Sequence, residues 1–162
     1  MIVYHGSYCI VDTPHISFSR SALDFGKGFY ITKIKEQAIN WTNKFKRRGK
    51  KGYLNVYKLD IEKVKEMYRV KEFLSYDLEW LDFILKCREE NNIYLQYDMV
   101  IGGIADDRVY NTIELYKDNL IEKDEALKRL QYYKPNQQIC IINQDIIDRY
   151  LKYEKVRKCR IC

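Results

Sequence analysis

Hydrophobic and polar positions change period from block to block along the chain, and each period predicts an element. Residues 2–5 form a β-prone run that ends in His5-Gly6-Ser7. Residues 29–32 form a second run, entered through Gly26 and Gly28. From 35 to 46 the apolar spacing becomes helical, with Ala38, Ile39, Trp41, Thr42 and Phe45 as the expected inward side; Gly49 and Gly52 end the helix. Residues 53–59 (YLNVYKL) alternate as a strand does, with Leu54, Val56 and Lys58 on one side and Tyr53, Asn55, Tyr57 and Leu59 on the other. An amphipathic helix is predicted over 78–90, with Trp80 and Phe83 in the core, and a short buried strand over 98–102. Helices follow over 112–118 and 122–131, then a strand over 138–142 and a closing helix over 145–153. Strands and helices mix without regular βαβ alternation, which predicts an α+β fold.

At 162 residues the chain has room for one domain, expected over 1–155, followed by a basic tail over 156–162. With 46% hydrophobic and 32% charged residues, a folded protein is expected rather than a disordered one. No apolar run is long enough to span a bilayer, so a cytoplasmic protein without membrane partners is expected. Five scattered cysteines favour reduced thiols over a disulfide framework. Cys159 and Cys162 have half the spacing of a zinc site and no second pair, so no metal is expected. The net charge of +6 is concentrated: KFKRRGKKG, 44–52, holds six cations in nine residues, and KVRKCRIC closes the chain. Such clusters either track a phosphate backbone or form a solvated helix end and loop, and composition leaves both readings open.

Three chemistry-bearing pieces stand at strand ends. They are His5-Gly6-Ser7, Gly28-Phe29-Tyr30, and Gln138 at the start of QICII. Their order and context resemble the ADP-ribosyltransferase superfamily, in its diphtheria-toxin-like and poly(ADP-ribose)-polymerase-like branch. The chain is more similar still to one bacterial family of that clan, a domain of unknown function (DUF3990). The shared stretches include YHGS, LDFGKGFYIT, the helix with Gln37, Ala38 and Trp41, DLEWLDF and LYKDNLI, from Tyr4 to about Leu151.

That resemblance implies a split, mostly antiparallel β-core of two small sheets with flanking helices and a cleft between the sheets. It implies a mono-ADP-ribosyltransferase that uses NAD as substrate, without a metal. By resemblance, His5 hydrogen-bonds a ribose hydroxyl, Gly6 offers its backbone to the carboxamide, Ser7 reaches the nicotinamide ribose, and Tyr30 faces the nicotinamide ring. Gly26 and Gly28 are expected to leave room for the ligand, and Arg20 and Lys27 are the nearest cations for the pyrophosphate. Catalysis would fall to Gln138, His5 and Tyr30. Gln138 stands where the superfamily carries glutamate; its carbonyl can still accept a ribose hydrogen bond but supplies no charge. Asn136, two residues earlier, gives no support for arginine modification.

Asp98, Asp106, Asp107, Glu79 and Asp82 are candidates for a compensating carboxylate, with helix capping the plain alternative for Asp106 and Asp107. The expected partner is a macromolecular acceptor, whether protein, DNA or RNA. Relatives of this kind imply a bacterial toxin or phage-defence role, with a small antitoxin protein as a further partner. Two rival readings stay open: a basic nucleic-acid-binding module, and a nucleotide-binding pseudoenzyme.

Overall fold

Strand β1, Ile2–Ser7, runs antiparallel to β3, Gly52–Leu59, and β3 runs antiparallel to β7, Leu151–Cys159. These three make one sheet, in the order β1-β3-β7. The second sheet has the order β2-β6-β5-β4, from β2, Phe29–Ile31; β6, Gln138–Ile141; β5, Met99–Gly102; and β4, Val70–Glu72. Its β2–β6 and β5–β6 pairings are antiparallel and its β4–β5 pairing is parallel. The computed structural model describes residues 1–105, 107–131 and 136–159, the side chains of 107, 108 and 131 excepted.

The α-helices among the described residues are α1, Lys35–Lys46; α2, Ile61–Met67; α3, Leu78–Arg88; α4, Asp107–Lys117; α5, Lys123–Gln131; and α6, Gln144–Tyr150. The fold is therefore α+β, with two small, mostly antiparallel sheets and flanking helices.

Burial orders these elements into layers. Val3, Tyr57 and Leu59 of the first sheet pack on Phe29, Ile31, Ile101 and Ile139 of the second, forming the inter-sheet core. On the far side of the second sheet, Val100 and Cys140 meet Trp80, Leu81 and Ile84 of α3 and Ile113 of α4. On the far side of the first, Ala38 of α1 lies on Leu54 and Val56. Burying these apolar faces supplies the main driving force for the arrangement, roughly 25 cal/mol per Å² removed from water. The space between the sheets, where the cleft was expected, is thus packed core.

Several elements differ from the sequence reading, each for a physical reason. The closing helix stops at Tyr150, and residues 151–159 become β7, so 156–159 belong to a strand rather than a tail. That strand is held by its ladder with β3, a contact the local charge pattern does not reveal. Trp41 is exposed, because α1 approaches the sheet through the small residues Ala38 and Thr42. Both faces of β3 are covered, one by α1 and one by the second sheet, so Asn55 is buried beside Leu54 and Val56. Helix α4 starts at Asp107, five residues before the expected Thr112.

Candidate functional site

The two sheets touch edge to edge at one isolated bridge, Tyr4 to Thr32. There Tyr4 N–H donates to the Thr32 carbonyl at 2.8 Å and Thr32 N–H to the Tyr4 carbonyl at 2.9 Å. Beyond it β1 and β2 part. Strand geometry places the backbone groups of residues i and i+2 on the same edge. Gly6, two residues past Tyr4 in an unbroken β1–β3 ladder, therefore turns its N–H and C=O toward the gap that β2 leaves. Among the described residues no group outside β3 pairs with them.

His5 bridges the parting strands. Its Nδ1 lies 2.7 Å from the Tyr30 carbonyl oxygen. A carbonyl only accepts, so Nδ1 carries the hydrogen and Nε2 keeps its lone pair. The imidazole packs at 4.8 Å on the Phe29 ring. Burial lowers the His5 pKa below its ordinary value, with the Tyr30 hydrogen bond opposing the shift, so the ring is neutral near pH 7.

Tyr30 is pinned at its tip. Its hydroxyl donates to the Gly26 carbonyl at 2.6 Å and accepts from Phe25 N–H at 3.1 Å. Burial raises its pKa well above the usual phenol value. The ring is thereby fixed to the loop that precedes β2, and the residue is half-buried.

Gln138 opens β6 opposite Gly102 of β5. Its Nε2 donates to Asp24 Oδ2 at 3.3 Å. That bond fixes the orientation of the amide and leaves Oε1 as an acceptor without a partner among the described residues. Asp24 is the centre of a larger cluster. Its Oδ1 accepts from Arg88 Nη2 at 2.7 Å and Nε at 3.1 Å, and its Oδ2 also accepts from Ala105 N–H at 3.1 Å. Arg88 lies against the Tyr110 ring at 4.7 Å, and its Nη1 is buried with no hydrogen-bond partner.

The expected residues come together only in part. Tyr30 pairs with Cys140, two residues from Gln138, so the Tyr30 and Gln138 side chains lie on the same face of the second sheet. His5 reaches the Tyr30 backbone, but its ring rests on Phe29, on the opposite, inter-sheet face. Ser7 is buried and its Oγ accepts from Cys9 N–H at 3.3 Å, so it closes the turn after β1.

The glycines make room for the protein itself rather than for a ligand. A Cβ on Gly6 would stand 2.1 Å from the Ala38 carbonyl oxygen of α1. One on Gly28 would stand 2.4 Å from Cys140 Sγ. Gly26 has φ +74°, and the Tyr94 ring fills the place of its missing side chain. Arg20 is exposed and Lys27 half-buried on the loop before β2, which Gly28 N–H closes onto Ser19 Oγ at 3.2 Å.

None of the described acidic candidates named from sequence bonds Gln138. Asp98 binds Arg69 Nε at 3.0 Å and Asn143 Nδ2 at 3.0 Å, at the end of β5 remote from Gly102. The Arg69 guanidinium holds its carboxyl below the ordinary value. Glu79 pairs with Lys71, and Asp82 is exposed on α3. Asp106, the Asp107 side chain and Cys162 lie outside the described residues.

Sequence reasoning missed Asp24, although it stands inside LDFGKGFYIT, directly before the loop that holds Tyr30. It also missed Asn55. The Asn55 Oδ1 accepts from Val11 N–H at 2.9 Å and its Nδ2 donates to the Cys9 carbonyl at 3.3 Å, holding the segment after β1. Among the described residues no group of three or more His, Cys, Asp or Glu side chains gathers as a metal site, and no helix is long and apolar enough to cross a membrane.

Residues 1–153 match the family model described as a protein of unknown function (DUF3990). The chain belongs to the DUF3990 family. No curated protein and no solved structure matches it. Membership accounts for nearly the whole described fold, from β1 into the first residues of β7.

Proposed function

We propose that this DUF3990 chain is a mono-ADP-ribosyltransferase that cleaves NAD at the nicotinamide–ribose bond and transfers ADP-ribose to a macromolecular acceptor. The observation that carries the reading is the hydrogen bond from His5 Nδ1 to the Tyr30 carbonyl, formed where β1 and β2 part. It leaves a neutral imidazole with Nε2 free to accept from a ribose hydroxyl. Beside it, the Gly6 N–H and C=O turn into the gap and match the acceptor and donor of a carboxamide.

In the transfer, the bond between ribose C1′ and the nicotinamide nitrogen breaks, and its electron pair leaves with nicotinamide. A lone pair of the acceptor forms the new bond at C1′, and the acceptor's proton passes to water. Tyr30, pinned at its hydroxyl, presents a fixed ring for stacking. Gln138 Oε1, oriented by Asp24, accepts a hydrogen bond from the ribose.

A second reading is favoured by one observation. Asp24, the carboxylate that Gln138 bonds, is already neutralised by Arg88. Positive charge developing on the ribose then meets, at Asp24, a carboxylate already spent on Arg88, which favours a pocket that binds NAD without turnover.

Incubating the protein with NAD labelled in its adenylate part and a cell lysate, while measuring nicotinamide release, separates the two. Transfer predicts labelled macromolecules and nicotinamide release that fall about 100-fold in Gln138→Ala, the size expected for one lost transition-state contact. NAD-induced thermal stabilisation without nicotinamide release supports the second reading. Neither stabilisation nor release overturns both.

A further inference from the structure

The two basic segments seen in the sequence lie more than a hundred residues apart, and the fold joins them. Gly52 pairs with Cys159, Tyr53 with Lys158, and Leu54 with Arg157. The end of β7 therefore lies against the start of β3, directly after the basic turn that follows α1. Residues 37–59 and 155–162 hold eleven of the 29 Lys and Arg residues and none of the 23 Asp and Glu residues. The rest of the chain has 18 cations against 23 carboxylates, so the whole positive excess resides in these two segments.

Most of these cations are not neutralised locally by described residues. Among the described residues, no ion pair includes Lys44 or any cation of residues 47–58 or 155–158. The patch also carries aromatic rings. Trp41 is 45% exposed and Tyr8 51% exposed. Trp41 and Phe45 stand one helical turn apart on α1, and Tyr8 packs on Phe45 at 5.4 Å, which makes a row of three rings. Lys44 Nζ lies 4.1 Å from the Trp41 ring and Lys50 Nζ 4.6 Å from the Tyr8 ring. Further along the same sheet face, Lys35, Lys155 and Arg157 line a groove of about 270 Å³ over Leu54 and Val56, with Glu154 as its one acid.

We propose that this surface binds single-stranded nucleic acid and that, resting on the transferase reading, the bound strand is the acceptor. Unpaired cations along a path attract phosphates, and exposed rings beside them offer stacking faces that every base can use. An acidic protein would use the charge and leave the rings idle. Placement ties the surface to the candidate site: Tyr8 is three residues past His5, at most about 10 Å along an extended chain.

The test is fluorescence anisotropy with a labelled 20-mer, single-stranded and as a duplex, in the absence of NAD. Tight binding of the single strand is expected, weakening about 100-fold from 50 to 200 mM salt if about five phosphates are engaged. Lys50→Glu with Lys51→Glu should lower affinity at least tenfold. Tyr8→Ala and Trp41→Ala, both exposed, should each lower it about tenfold through lost stacking. Equal affinity for polyglutamate, or indifference to Tyr8 and Trp41, overturns the proposal. A second arm adds labelled NAD to the oligonucleotide. Binding without label on the strand sinks the acceptor role and keeps the surface. Label on lysate protein with no oligonucleotide binding sinks the surface and keeps the transferase reading.

Discussion

Two regions of this DUF3990 chain handle charge in opposite ways. Around Asp24, one carboxylate, one guanidinium and one amide are nearly buried and bonded to one another. At the end where α1, β3 and β7 meet, Arg47, Arg48, Lys50 and Lys51 stand exposed without acidic partners among the described residues. The first arrangement fixes geometry at short range, because buried charges must be paired and hydrogen-bonded to exist at all. The second acts at long range and costs stability through self-repulsion. Charge in a protein thus builds either a position or a field, and the bonding partners tell which.

The sharpest way to break the comparison is to remove Asp24. Its side chain is 16% exposed and that of Arg88 is 17% exposed. Asp24→Ala leaves Arg88 buried without its counter-charge, alongside an Nη1 that already lacks a partner. The expected loss is about 3–5 kcal/mol in urea denaturation. Replacing both partners with apolar residues, Asp24→Leu with Arg88→Met, should recover most of it. A loss below about 1 kcal/mol for the single change would mean that the pair does not hold this region.

These two regions were also unequally readable in the sequence. The bounds of α1, Lys35–Lys46, and the buried character of β5 follow from local spacing and were legible. So were the two basic runs, because charge shows in composition. The Asp24 cluster was not, since its meaning depends on Arg88, 64 positions away, and Gln138, 114 positions away. Strand β7 was missed for a related reason: it is an edge strand of mostly exposed charged residues, held by a register with β3. Helix α2 and strand β4 were not read at all; Val64 and the parallel pairing with β5 place them, and both are tertiary. His5, Tyr30 and Gln138 could be named from motif order, but the face each side chain occupies came only from the pairing.

A smaller contrast uses two glycines with the same backbone conformation. Gly26, beside the Asp24 cluster, has φ +74° and Gly49, in the basic turn, has φ +72°. A Cβ on Gly26 would stand 2.2 Å from the Tyr94 ring, whereas one on Gly49 would meet nothing within 4 Å. Alanine at Gly49 should cost only the left-handed backbone penalty, about 1 kcal/mol. Alanine at Gly26 adds overpacking, for a total of about 3 kcal/mol. Thermal unfolding of the two variants measures the difference, and equal losses would show that the packed region yields as readily as the open one.

The smallest expected effect has the opposite sign. Arg48 and Lys51 lie in the basic turn, exposed and in no ion pair among the described residues. Arg48→Gln with Lys51→Gln removes two like charges from a crowded field and should shift stability by no more than about 0.5 kcal/mol. At low salt the shift should be toward greater stability, and it should vanish above about 0.5 M salt, where the Debye length is only a few ångströms. Denaturation at two ionic strengths reads both features. A destabilisation above about 1 kcal/mol would mean that these cations have structural partners after all, as Arg88 has. A gain that fades with salt means that the fold tolerates this field rather than needing it, as expected of a surface kept for something outside the chain.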